Sequence, residues 1–190
     1  MAKIEIESKY ELKNTQKVVK FLDKNAKLKY ESRQIDTYFD SPAVGYTTDL
    51  ENGRRIDYWL RLREEDSQSS VNFKDWSISD NIGYCDEFES AVESATDVKT
   101  IFGRMGFKPV AVVDKTRRAY AYKDFEVSID IVKELGDYIE IEYYGNSDDI
   151  KKVQSQIGQI LTEIGAKTAP EDHRGYPYHL IARSRGKISS

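Results

Sequence analysis

Glu5-Ile6-Glu7-Ser8-Lys9 sets two carboxylates and an ammonium at alternate positions. On a β-strand these three share one face, and Ile4, Ile6 and Ser8 take the other. The pattern recurs along the chain. Trp59, Arg61 and Arg63 alternate with Leu60 and Leu62, and Asn72, Lys74 and Trp76 with Val71 and Phe73. Glu87 and Glu89 share a face, as do Val113, Lys115 and Arg117. Ser128 and Asp130 oppose Val127, Ile129 and Ile131; Tyr138, Glu140 and Glu142 oppose Ile139, Ile141 and Tyr143. Six cations (Lys9, Arg61, Arg63, Lys74, Lys115, Arg117) are suited to a chain of phosphates. Five acids (Glu5, Glu7, Asp130, Glu140, Glu142) are suited to a divalent metal, since carboxylate and phosphate oxygens are what magnesium prefers.

The elements that carry these residues read as follows. Strands are expected over residues 2–12, 34–40, 55–65, 70–77, 84–92, 108–122, 125–132 and 138–144. A helix capped by Asn14 or Thr15 runs to about Lys24, a second from Thr96 or Asp97 to about Met105, and a third from Asp148 and Asp149 to about Ile164. Residues 41–53 form a loop, Asp66–Ser70 a hairpin turn, and Asn81-Ile82-Gly83, Lys123-Asp124 and Leu135-Gly136-Asp137 further turns. After Pro170, a tail with Tyr176, Tyr178, Leu180 and Ile181 suits a final helix.

Composition narrows the class. The 190 residues suit one domain, 1–190, with a short tail or helix from about 171. Charged residues are 33% of the chain, above the quarter or so that is usual, so charge serves more than solubility. The net charge of −4 argues against a general nucleic-acid binder. The one cysteine, Cys85, excludes an internal disulfide and fits a reducing, cytoplasmic location. No stretch has the apolar length of a membrane span, and no signal-peptide core is seen.

A strand with one charged face is by default the wet side of a sheet. For the set, arginines and carboxylates at matched positions argue otherwise, and the helices need an apolar surface to dock on. The expected fold is α+β: eight mainly antiparallel strands closed into a barrel, helices outside, charges within. Such an interior is tolerable with water, cross-lumen ion pairs or a highly charged ligand.

In this order the motifs resemble the CYTH superfamily, also called triphosphate tunnel metalloenzymes. They are Glu-x-Glu-x-Lys at 5–9, QIDTYFD at 34–40, LRLR at 60–63, FK at 73–74, EFE at 87–89, KTR at 115–117, SID at 128–130 and LGDYIEIE at 135–142. The resemblance covers about residues 3–182 and is nearest the class IV adenylate cyclase and thiamine triphosphatase-like branch. It implies Mg2+ (or Mn2+) at Glu5, Glu7, Asp130, Glu140 and Glu142, with Lys115 beside these acids among the catalytic residues. It implies phosphate contacts from Lys9, Arg61, Arg63, Lys74, Lys115 and Arg117. A homodimer is common in that branch. Two positions depart: Cys85 stands where relatives often carry a base, and Gly175 where they often carry serine.

The implied substrate is ATP, tripolyphosphate or thiamine triphosphate. Attack by a ribose 3′-hydroxyl on the α-phosphorus makes a cyclase; attack by water on the terminal phosphorus makes a triphosphatase. A non-catalytic triphosphate or polyphosphate binder is the reading from a different class. Glu87 and Glu89 fit either the site or pairing with nearby arginines. Asp36, Tyr38 and Asp40 read as structural or cation-orienting. Trp59 and Trp76 read as packing, and His173 and His179, lacking a ligand spacing, as tail residues.

Overall fold

The computed structural model describes residues 6–43, 45, 58–79, 82–143 and 150–186, with backbone alone for 76–79, 82–85 and 150. The strands are β1 (Ile6–Glu11), β2 (Lys27–Asp40), β3 (Tyr58–Glu65), β4 (Gln68–Ser79), β5 (Ile82–Val92), β6 (Lys108–Tyr122), β7 (Phe125–Val132) and β8 (Gly136–Tyr143). The helices are α1 (Thr15–Asn25), α2 (Ala95–Arg104), α3 (Ile150–Glu163) and α4 (Tyr176–Ser184). None of the described helices is long and apolar enough to cross a membrane. Glu5, most of the 41–53 loop, Asn81, Asp148 and Asp149 lie outside the described residues, as do the side chains of Trp76 and Cys85.

The hydrogen-bonded order is β1-β8-β7-β6-β2-β3-β4-β5, and the registered pairs are antiparallel. The fold is thus α+β with eight strands and four helices, but the sheet is not closed. No pairing joins β1 to β5 among the described residues. The chain after α3 takes the outer edge of β1 instead. Lys13 N–H donates to the Lys167 carbonyl at 2.8 Å, and Ala169 and Asp172 N–H donate to Glu11 and Lys9 carbonyls, each at 3.1 Å. Leu12 bridges Thr168. Backbone groups engaged this way are not open to another strand, and the expected barrel seam is not seen among the described residues.

Contacts gather in two compact units, and β2 and β6 run through both. The first comprises Glu5–Ser32 and Lys115–His173. Its core joins Val18 and Leu22 of α1, and Val153, Ile157 and Ile160 of α3, to Ile6, Tyr120, Val127, Ile129, Ile139 and Ile141 of the strands. Full burial of each such aliphatic side chain contributes roughly 1.5–3 kcal/mol. The second comprises Arg33–Asp114 and Arg174–Ser190, with Met1–Ile4. There Phe39, Leu60 and Leu62 meet Val98 and Phe102 of α2, and the Phe39 and Phe102 rings pack edge-on at 5.2 Å.

Several local expectations change: Ile82 and Gly83 open β5, and Gly136 and Asp137 open β8, rather than lying in turns. β2 begins seven residues early because Lys27–Arg33 alternates weakly, with Leu28 and Tyr30 both exposed. α2 is capped not by Thr96 or Asp97 but by Ser94, whose hydroxyl accepts the Asp97 N–H at 3.1 Å. Asn14 does precede α1, yet its amide donates to Gly165 O at 2.9 Å and accepts from Lys167 N–H at 2.8 Å rather than capping the helix.

Candidate functional site

The first unit carries one charged face, laid out by strand register. Lys9 stands opposite Glu140 and Glu7 opposite Glu142 on β1 and β8. Glu142 stands opposite Glu126, and Glu140 opposite Ser128, on β8 and β7. Asp130 stands opposite Arg117 on β7 and β6. Asp130 is fully buried and Lys115 nearly so. Both oxygens of Asp130 accept from Arg117, at 2.7 and 2.6 Å, and Lys115 Nζ donates to it at 3.0 Å. Arg117 also donates to Glu140 at 2.7 Å, and Lys9 Nζ lies 3.7 Å from the same carboxylate.

These contacts set the titration. Burial pushes the Asp130 carboxyl up, but Arg117 and Lys115 together outweigh it and hold it well below its ordinary range. Burial likewise opposes ionisation of Glu140, and Lys9, Arg117 and Lys115 override it, so its pKa is also held low. Lys9 is pulled down by burial and raised on balance, chiefly by Glu140 and Glu7. All three groups are therefore charged at neutral pH.

The acids also meet one another. The Glu7 carboxyl is within hydrogen-bonding reach of Glu140. Register adds a row of Glu7, Glu142 and Glu126 on neighbouring strands. Like charges placed so are unfavourable unless a cation or proton lies among them. For Glu126 that cation is Lys29, at 2.5 Å, with the Ser128 hydroxyl donating at 3.2 Å. Glu7, Glu140 and Glu142 present oxygen donors of the kind a hard divalent ion takes. Among the described residues no three acidic, histidine or cysteine side chains are grouped closely enough to hold a metal by themselves. Glu5 is not among those residues.

The second unit carries another charged face. Asp36 lies opposite Arg63, and Tyr38 opposite Arg61. Arg61 lies opposite Asn72, and Trp59 opposite Lys74; Asn72 lies opposite Glu89, and Lys74 opposite Glu87. Buried Asp36 takes Arg63 in a two-point contact, both distances 2.7 Å. Lys74 is 3.3 Å from Glu87, which also accepts from Asn72. Arg61 is held more loosely, 4.0 Å from Asp36 and 3.8 Å from Glu89, and its buried Nε has no hydrogen-bond partner.

Each described site residue thus falls on the face its alternation predicts. Lys9, Lys115, Arg117, Asp130 and Glu140 form one contiguous cluster, with Glu7 in reach of Glu140. Arg61, Arg63 and Lys74 share the second face. Asp36 orients a cation, as expected. Glu87 and Glu89 pair with Lys74 and Arg61, the more modest of their two readings. Trp59 is buried and packs edge-on against Tyr38 at 5.4 Å. Glu126 and Gln34 were not singled out from sequence. Glu126 was legible, since Glu126, Ser128 and Asp130 alternate; Gln34 looked like one more neutral polar residue.

The CYTH domain family pattern matches residues 3–176. A curated Methanocaldococcus jannaschii protein, named a putative adenylate cyclase, is 34% identical over 163 residues, covering 85% of this chain and 89% of its own length. The solved PH1819 protein of Pyrococcus horikoshii OT3 superposes with a TM-score of 0.77 at 23% identity, covering 94% of this chain and 99% of that one. HpAC1 from Hippeastrum, described as a putative adenylyl cyclase with a dominant triphosphatase activity, superposes with a TM-score of 0.61 at 18% identity, covering 98% of both chains. At those identities the two solved structures speak for the fold alone.

Proposed function

The chain belongs to the CYTH domain family, and on that premise we propose that it acts on a triphosphate with a divalent metal, converting ATP to cyclic AMP and pyrophosphate. The observation that carries this is the buried cluster of Lys115, Arg117 and Lys9 around Asp130 and Glu140. A strand face built only for solvent has no need of a fully buried aspartate gripped by two cations. The name of the M. jannaschii relative favours the cyclase outcome.

Glu5, Glu7, Asp130, Glu140 and Glu142 are the proposed metal residues, and the bound Mg2+ or Mn2+ would supply charge neutralisation at phosphate oxygens. Lys9, Lys115, Arg117, Arg61, Arg63 and Lys74 are the proposed phosphate contacts, stabilising charge as it gathers on the leaving group. Asp130 and Glu140, held well below the usual carboxylate range, are poor proton acceptors. Their role is to fix cations, and the 3′-hydroxyl proton passes to solvent as its oxygen bonds to the α-phosphorus. The bond from the α-phosphorus to its bridging oxygen breaks, and pyrophosphate leaves.

The test is a panel of ATP, tripolyphosphate and thiamine triphosphate with magnesium or manganese, read for cyclic AMP, pyrophosphate and phosphate. Cyclic AMP with matching pyrophosphate is expected. Terminal phosphate release instead would replace the nucleophile by water and make the protein a triphosphatase. Tight binding without turnover of any of the three would make it a binder.

A further inference from the structure

Gln34 lies on the polar face of β2, two positions before Asp36 and opposite Glu65 of β3. It is 1% exposed. Its Nε2 donates to Glu65 Oε1 at 3.2 Å. That contact fixes the amide: a carboxylate only accepts, so nitrogen must face it and oxygen must point the other way. The oxygen, Oε1, is buried and has no hydrogen-bond partner. A buried acceptor left without a hydrogen bond is destabilising, so its persistence calls for a donor that the protein itself does not supply.

A second orphan shares this face. Arg61 Nε is a buried donor without a partner, and Arg61 Nη1 leans toward Asp36, at 4.0 Å. Tyr38, opposite Arg61, is four residues along β2 from Gln34, a separation on the order of 13 Å. One orphan asks for an acceptor and is positively charged; the other asks for a donor and is neutral. A bare polyphosphate, once ionised, offers acceptors only and can satisfy the first alone. A phosphate chain joined to an organic group bearing a hydroxyl or amine satisfies both.

We propose that Gln34 is a specificity residue: its Oε1 accepts a hydrogen bond from a hydroxyl or amino group on the organic part of a triphosphate whose phosphate oxygens are taken by Arg61. This rests on the triphosphate reading above and adds that the protein selects an organic triphosphate over an inorganic one. Glu65 is the positioning residue, since it holds the amide nitrogen and so turns the oxygen away from itself.

The test is calorimetric binding, with Ca2+ in place of Mg2+ to limit turnover, of ATP, 2′-deoxy-ATP, 3′-deoxy-ATP, purine riboside triphosphate and tripolyphosphate. The wild type is expected to bind one of the three donor-deleted analogues about tenfold more weakly than ATP, the loss that goes with one buried hydrogen bond. In Gln34→Met that preference is expected to shrink to within about twofold. In Glu65→Gln, where the amide is free to turn, it is expected to narrow in the same way with both side chains still polar. A mere packing role would move all the affinities together and leave their ratios alone. Equal affinity of the wild type for all three analogues and ATP would overturn the inference. So would a preference that survives Gln34→Met, or a loss of Ca2+ affinity in that variant without nucleotide, which would make Oε1 a cation ligand. If no triphosphate binds the wild type, the proposed function itself fails and takes this inference with it.

Discussion

The two charged faces are built from the same residue types and held in different states. Around Asp130 and Glu140, the cations Lys115, Arg117 and Lys9 reach a carboxylate at 3.0, 2.6 and 3.7 Å. Around Asp36, Arg63 is as firmly held, at 2.7 Å, but Arg61 keeps only contacts of 3.8 and 4.0 Å. On the first face Lys115 and Arg117 are both tied closely to Asp130, so an incoming ligand must exchange partners there. The second holds a guanidinium whose reorientation sacrifices little. Preorganised charge suits the stabilisation of a reacting group, whereas a loosely tied cation suits initial capture of an anion.

The sharpest way to break this contrast is to remove the central acid of each face. Asp130→Ala leaves Lys115 and Arg117 buried without that partner and is expected to cost about 3–5 kcal/mol in urea denaturation. Asp36→Ala strands one tightly bound arginine and is expected to cost less. Equal losses would mean that the faces differ in geometry but not in energy.

Turnover separates them next. Glu142→Gln is expected to lower kcat about a hundredfold or more with the fold intact by circular dichroism, while Glu89→Gln on the other face stays within about threefold. Unchanged turnover in Glu142→Gln would refute its metal role. Arg61→Ala should raise the triphosphate Kd about tenfold to a hundredfold yet lower stability less than Asp36→Ala does. A large loss of stability there would show that its long contacts matter to folding.

A pH series sharpens the balance of the first face. Asp130 and Glu140 have folded pKa values below their unfolded ones. Their contribution is therefore present above about pH 4, the unfolded range, and is lost as pH falls toward the folded values. Lys9 is shifted up, so its contribution holds below about pH 10.4 and is lost as pH rises through its folded value. Urea midpoints should fall on the acid side, with a shallower acid limb in Asp130→Asn. The smallest effect is outside both faces. Lys123 and Glu163 pair at the surface, and Glu163→Ala should leave the thermal midpoint unmoved.

How much of this was legible depended on how strictly a segment alternates. β6 and β7 have the bounds read from sequence, Lys108–Tyr122 and Phe125–Val132, because the Lys123-Asp124 turn separates them and apolar and polar residues alternate over Phe125–Ile131. The start of β2 was hidden since its apolar members, Leu28 and Tyr30, stay exposed. Cations and acids of the site were legible because a charge on an otherwise half-buried strand stands out by type. Gln34 was not, because what distinguishes it is an unmet hydrogen bond, which only the packed structure reveals. Closure of the sheet could not be read either: alternation specifies faces, and the occupant of the β1 edge is decided by a segment more than a hundred residues away.

That segment, residues 167–172, has a consequence for the order in which the molecule assembles. β1 is made first of the eight strands, yet both of its neighbours, β8 on one edge and the 167–172 stretch on the other, are made late. A slip of one residue in β1 would turn Glu7 and Lys9 away and bring Ser8 and Ile6 round in their place. The two flanking lines of hydrogen bonds rule out that slip, but only once residues 167–172 have emerged. Pairings so distant in sequence form slowly. β1 is therefore among the last strands to be seated, and the charged face that Glu7 and Lys9 join is completed as a closing step of folding.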